Sequence, residues 1–232
     1  MKYDNQLNQI QSQIMAQLYT RGDLRFAQMN AGQVPSDQFS YHVRQLLKYG
    51  LVEKTAENTY RLSVNGRSRA ILLDVQTGQF IEQGFVACRV VLSRERAGSK
   101  EYLVQYRTKV PYKGNIAEPG GKILFGEDIL QSAARNMLKE TGLTCRFVLK
   151  GMAHFKDEYL GRIVQDKFFF VILARNPQGE LLEYGETGTN VWMTLEQIAA
   201  DPMTHQGVVD MINMAEREGY HMIEQTHTAE LY

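Results

Sequence analysis

Residues 121–143 read GKILFGEDILQSAARNMLKETGL, and how this stretch is divided decides the fold. It leaves a Gly-rich turn, Glu118-Pro119-Gly120-Gly121, and enters a segment with helical periodicity. The spacing predicts a helix from about Asp128 to Thr141, with Leu130, Ala133, Ala134, Met137 and Leu138 as its apolar stripe and Gly142 as its stop. Strands are expected on either side. Phe85–Leu92 and Glu101–Arg107 precede it, the second alternating Tyr102, Val104 and Tyr106 on one face. Phe168–Leu173 reads as a fully buried strand by composition, and Asn190–Met193 as another. Thr194 then caps a helix over Leu195–Ala200, and Val208–Arg217 forms the last helix. Strands and helices mixed in this way give an α/β layered domain.

A loop near Gln76–Gln83 separates this block from an N-terminal one. There, Ile10, Ile14, Met15, Ala16 and Leu18 make a helical stripe that ends near Gly22. A short helix is expected from Leu24 to Ala31, closed by the turn Gly32–Pro35. Ser36 or Asp37 is the expected N-cap of a third helix carrying Phe39, Val43, Leu46 and Leu47, with Gly50 as its stop. Leu51-Val52 and Tyr60-Arg61-Leu62 read as the strands of a small hairpin around Thr55–Thr59.

Composition narrows the classes. The chain has 232 residues, 44% hydrophobic, which is enough for packed cores. Its longest uninterrupted apolar run is Phe168–Ala174, far short of the roughly 20 residues that span a bilayer. The N-terminus is polar and has no secretory core, and Cys88 and Cys145 have no metal-ligand spacing. A soluble cytoplasmic protein with no membrane partner is expected. The net charge is zero, but residues 1–70 hold nine Lys and Arg against five Asp and Glu, leaving the remainder acidic. A basic half of this kind is compatible with a polyanionic partner and equally with an ordinary solvated surface.

The stretch Phe39–Lys54, with Tyr60–Ser63 and Gly66, resembles the recognition helix and wing of winged helix-turn-helix domains, here over residues 1–75. That resemblance implies double-stranded DNA as partner. Gln38, Ser40, Tyr41, His42 and Arg44 would face base edges, and Lys48, Lys54 and Arg61 would approach phosphates. It also implies a homodimer reading two half-sites. The same architecture serves as a protein-contact module as well.

Residues 121–143 resemble the signature of Nudix hydrolases. Gly121, Glu127, Arg135, Met137, Glu140, Gly142 and Leu143 stand at the pattern's positions, and Pro119-Gly120 and Val191–Glu196 agree with family features. The resemblance implies an α/β/α sandwich with a mixed sheet over residues 80–232. It also implies diphosphate chemistry assisted by Mg²⁺ or Mn²⁺, which take oxygen ligands. Glu140 and Glu127 would then be the catalytic and metal-binding carboxylates, and Gly121, Arg135 and Lys139 would contact the ligand. Glu127 and Arg135 are equally readable as a structural pair. Two of the three acidic positions of the pattern are replaced, by Asn136 and Lys139. An ammonium beside a divalent cation is repulsive, so hydrolysis would need a distal carboxylate such as Glu118, Asp157, Glu158, Glu183 or Glu186. Lys139 is readable as a direct partner of a diphosphate or as a solvated lysine. Tyr112, Phe155, Tyr159 and Tyr184 are aromatic candidates for stacking a base.

Three functions follow from these resemblances. The first is a transcription regulator whose degenerate Nudix domain binds an ADP-ribose-like metabolite. The second is a metal-dependent hydrolase of nucleoside diphosphate derivatives with an accessory winged helix. The third is a non-catalytic interaction protein. Asn136 and Lys139 separate the first two.

Overall fold

Asn8 opens the first helix of this computed structural model. Its side chain accepts from the Gln11 N–H at 3.0 Å, and the Gln11 side chain returns a bond to the Asn8 N–H at 3.1 Å. Two orphan donors of the helix end are thereby satisfied. Asn8→Ala is expected to cost about 1 kcal/mol. The measurable result is amide exchange in the first helix about fivefold faster; unchanged exchange there would count against the cap's role.

The structure describes residues 7–30, 34–109 and 112–229, and the chain divides into two units, Met1–Glu82 and Gln83–Tyr232. In the first unit, α1 (Gln9–Arg21), α2 (Phe26–Asn30) and α3 (Ser36–Lys48) precede β1 (Val52–Lys54), β2 (Tyr60–Leu62) and α4 (Val64–Ala70). Ile14, Met15, Leu18, Met29, Phe39, Val43, Leu46 and Leu62 close one apolar core. β1 and β2 pair antiparallel, and Leu24 bridges to Tyr60. This helical unit with its small hairpin fits a winged helix.

Local details differ from the sequence reading. Pro35, with no side-chain bond, is the cap of α3, so Ser36 and Asp37 fall inside its first turn. α2 is shorter than expected, and its closing turn falls partly outside the described residues. Helix α4 was not expected. It forms because Ser63 accepts from the Gly66 N–H at 3.0 Å, and because Gly66 lies where a Cβ would meet the Leu51 carbonyl at 1.9 Å.

The second unit is built on β3 (Phe85–Arg96), β4 (Ser99–Arg107), β5 (Ile116–Ala117), β6 (Gly120–Lys122), α5 (Ile129–Thr141), β7 (Thr144–Tyr159), β8 (Arg162–Gln178), β9 (Gly188–Thr194), α6 (Leu195–Ala200), α7 (Val208–Glu216) and β10 (His221–Thr228). The strands form one mixed sheet in the order β10-β7-β8-β3-β4-β5, with β6 on β3 and β9 on β4. β3 runs parallel to β8, and β10 parallel to β7. The β7–β8 hairpin turns through Leu160 and Gly161, both at positive φ, as a tight two-residue hairpin turn requires.

Alternation along each strand separates two cores. Ala87, Val91, Tyr102, Val104, Phe169 and Val171 face one side with Ile198 of α6 and Met211, Ile212 and Met214 of α7. Cys88, Val90, Leu92, Leu103 and Ile172 face the other with Ala133 and Met137 of α5. The layering is thus α/β/α.

The expected stripe of α5 is rotated. Leu130, Ala134 and Leu138 are exposed, and the buried line is Ser132, Ala133, Asn136, Met137, Glu140 and Thr141. Phe168–Leu173 lies in a strand as expected, though Phe168 and Phe170 are only half-buried. No helix among the described residues is long and apolar enough to cross a membrane.

Candidate functional site

The turn Pro119-Gly120-Gly121 is fixed by close backbone approach. β3 pairs antiparallel with β6, placing Gly120 opposite Arg89 and Gly121 opposite Cys88. A Cβ on Gly120 would meet the Cys88 carbonyl at 2.1 Å, so glycine is required there. Gly121 lies under the side chain of Asn136, whose Oδ1 would be 2.5 Å from an added Cβ. Gly121, expected to contact the ligand, is packed against α5.

Polar residues of α5 then have partners, Asn136 and Glu140 inside and Lys139 on the exposed side. Asn136 is buried; its Nδ2 donates to the Ser132 carbonyl at 2.9 Å, and its Oδ1 accepts from Arg135 Nη1 at 3.1 Å. Glu140 is buried and accepts from both the N–H and the hydroxyl of Thr187, each at 2.9 Å. Its carbonyl accepts from Asn190 Nδ2 at 2.8 Å. Lys139 places its Nζ 2.6 Å from Glu186, which Lys109 approaches at 3.8 Å. Glu127 and Arg135 form a bidentate pair at 2.6 and 2.8 Å, and Glu127 also accepts from the Leu124 N–H at 2.9 Å. The Arg135 guanidinium holds the Glu127 carboxyl down to about 2. This pair ties the loop before α5 to the helix.

The residues present do not fit the divalent ion that the sequence resemblance implies. Among the described residues, no group of three or more His, Cys, Asp or Glu side chains is gathered to hold a metal ion. Glu140 is the one carboxylate on the helix face and is spent on Thr187. Lys139, at the adjacent position, carries an ammonium where the family pattern has a carboxylate, and it is exposed and paired with Glu186. Glu127 is committed to Arg135. Glu140 and Glu127, the carboxylates expected to bind metal, here hold Thr187 and Arg135. Of the distal carboxylates, Glu186 is taken by Lys139, Asp157 by Lys167 at 2.6 Å, and Glu158 and Glu183 are exposed. Glu118 is different.

Glu118 directly follows β5. It is 2% exposed, and neither carboxylate oxygen has a hydrogen-bond partner. Burial pushes its carboxyl up to about 7, against the pull of Arg89. Arg89 donates to the Glu118 backbone carbonyl at 3.3 Å, and its guanidinium lies 4.7 Å over the Phe169 ring. Lys167, nearly buried, gives both oxygens of Asp157 a bond at 2.6 Å. The Tyr112 hydroxyl donates to Asp157 as well. Tyr112 packs edge-on against His205, which burial holds neutral down to about 4 with Lys167 adding to the shift. The positive charge of Arg89 also lowers Arg107, second to burial. These residues come from β3, β4, β7, β8, the connections on either side of β5 and the loop before α7, spacings that carry no local signal. Of the expected stacking aromatics, Phe155 is core and Tyr184 is exposed, and only Tyr112 stands in this cluster.

In the first unit, Gln38, Tyr41, Arg44 and Lys48 share the exposed face of α3. His42 does not. It is buried, 3.1 Å from Asn8 Nδ2, because its position in the helix faces α1. Ser40 is half-buried and spends its hydroxyl on the Ser36 carbonyl at 2.7 Å. Arg61 is exposed and paired with Glu53 at 2.6 Å, and Lys54 is exposed beside the Tyr60 ring.

The NUDIX domain model matches residues 85–212, more than half of the chain. The chain belongs to the NUDIX family. Among solved structures, it resembles the MutT protein of Bacillus halodurans at 23% identity and a TM-score of 0.51, covering 61% of this chain and 90% of that one. It also resembles the NUDIX domain of NrtR from Shewanella oneidensis, solved in complex with ADP ribose. That match has 14% identity and a TM-score of 0.50, and covers 58% and 88% of the two chains. At these identities the likeness is one of fold. Within this NUDIX domain, the residues of the family signature bond to one another and to neighbouring loops, and Glu118 is the buried carboxylate with both oxygens unpartnered among the described residues.

Proposed function

We propose that this NUDIX protein is a DNA-binding transcriptional regulator whose NUDIX domain binds an ADP-ribose-like nucleoside diphosphate derivative without hydrolysing it. The observation that carries this reading is the Lys139–Glu186 ion pair, an ammonium seated where a metal-dependent hydrolase would need carboxylates. With Asn136 and Glu140 bonded internally, no set of acids remains on α5 to assemble a metal-bound water. Arg89 and Arg107 supply positive charge for a diphosphate in place of a cation. The NrtR domain solved with ADP ribose has the same fold, which supports the class of ligand. The first unit supplies the DNA contacts: Gln38, Tyr41 and Arg44 at base edges, Lys48 and Lys54 at phosphates. Arg61 contributes only by exchanging Glu53 for a phosphate. The protein acts in the cytoplasm as a homodimer, two winged helices reading two half-sites.

The test is calorimetric titration of the full-length protein with ADP-ribose, in EDTA and then in Mg²⁺, with product assayed by chromatography. The same affinity in both media and no product are expected. Turnover on the order of 1 s⁻¹ that EDTA abolishes would overturn the reading in favour of a hydrolase. For the DNA arm, Lys48→Ala is expected to weaken binding to all sequences about equally. It should also reduce the slope of log affinity against log salt by about 1. A variant that changes sequence preference with an unaltered slope would remove Lys48 from the phosphate contacts.

A further inference from the structure

Resting on the nucleotide reading above, we infer that the Glu118 carboxylate receives a pair of adjacent hydrogen-bond donors on the nucleoside part of the ligand. Buried polar atoms in native proteins are bonded almost without exception, and a buried carboxylate left alone is costly. Both Glu118 oxygens are buried without a partner. The charged neighbour, Arg89, spends its guanidinium on the Glu118 backbone carbonyl and the Phe169 ring and gives the carboxylate no hydrogen bond. The carboxylate cannot be relieved by a shift of its backbone. Pro119 accepts from the Val90 N–H at 2.8 Å, and Gly120 is pressed on the Cys88 carbonyl. Two acceptor oxygens are thus held at a fixed place without a partner.

Charge selects what fills them. A phosphate is repelled by the carboxylate itself, and the Arg89 guanidinium beside it already supplies a positive charge, which a second cation would meet. A neutral group with two neighbouring donors satisfies both oxygens at once. Two parts of a nucleoside have that chemistry: the amide and amino N–H edge of guanine, and the vicinal hydroxyls of ribose. Each places a diphosphate away from Glu118, within the field of the arginines.

The experiment is titration calorimetry of the full-length wild type and Glu118→Gln with GDP, ADP and their 2′-deoxy forms. Glutamine keeps the volume and replaces one acceptor with a donor. Loss of at least about tenfold in affinity is expected for every probe that carries the donor pair, and little change for those without it. If the base edge is read, GDP and deoxy-GDP lose affinity in the variant while ADP does not. If the diol is read, GDP and ADP lose it while both deoxy forms do not. Equal affinities of the two proteins for all four probes would overturn the assignment and leave the nucleotide reading standing. Silence of the wild type toward all four also overturns it, whereas the nucleotide reading falls only if ADP-ribose is silent too. Thermal unfolding of the variant, taken alongside, shows that lost affinity is not lost fold.

Discussion

Glu118→Gln is expected to gain stability relative to the wild type as the pH rises, with the gap between the two proteins widening by about 3 kcal/mol between pH 4 and pH 8. The carboxyl is buried, and its native value is raised from 4.5 to about 7. Between those values the native state holds a proton that the unfolded chain has released. The native form therefore loses ground with each rise in pH through that window. Above about pH 7 the penalty is constant, and near pH 4 it is absent because both states are protonated. Glutamine carries no such dependence. Other titrating groups, including His205, are common to both proteins and cancel in the comparison. For a unit of about 150 residues, the widening corresponds to roughly 6–12 °C in Tm, read by scanning calorimetry at the two pH values. A gap that is the same at both would mean that shape rather than charge sets the difference. The expected gain in stability and loss of affinity in one variant are the same fact seen twice: open acceptors destabilise the empty protein and are satisfied by its ligand.

Lys167→Met is expected to destabilise the second unit by about 3–5 kcal/mol, because it leaves Asp157 charged and buried without its cation. Both oxygens of Asp157 lie 2.6 Å from the Lys167 ammonium, and both residues are nearly inaccessible. The Tyr112 hydroxyl remains as a donor but carries no charge. Adding Asp157→Asn removes the stranded charge and should recover more than half of the loss. Urea unfolding of the single and double variants measures both. A single variant within about 1 kcal/mol of the wild type would show that water reaches Asp157 and that the pair is not sealed.

The alternating strands β3, β4 and β9 and the existence of α1, α3 and α5 were legible because apolar residues recur at the period of each element. The rotation of α5 was not. Leu130, Ala134 and Leu138 make as good a stripe as the true one, which is interrupted by Ser132, Asn136 and Glu140. Polar residues enter a core only when distant partners accept them. Here the distant side-chain partners are Cys88, 48 residues from Asn136, and Thr187, 47 residues from Glu140. His42 was misplaced for the same reason: its acceptance into the interior depends on Asn8, 34 positions earlier. The replacements of the family acids were visible in the residues themselves. That Glu186 would be claimed by Lys139, and that Glu118 would be left with open oxygens, depended on which strands meet.

The ion pair between Lys139 and Glu186 changes what the second unit responds to. A cation carried on the chain is present at an effective concentration set by four methylene groups, not by the cell's supply of magnesium. It cannot be chelated, exchanged for manganese or depleted, so the loop from Glu183 to Gly188 keeps its anchor in every ionic medium short of one that screens the pair. On the function proposed above, what varies around this unit is the ligand alone, and its occupancy reports one concentration instead of a product of two.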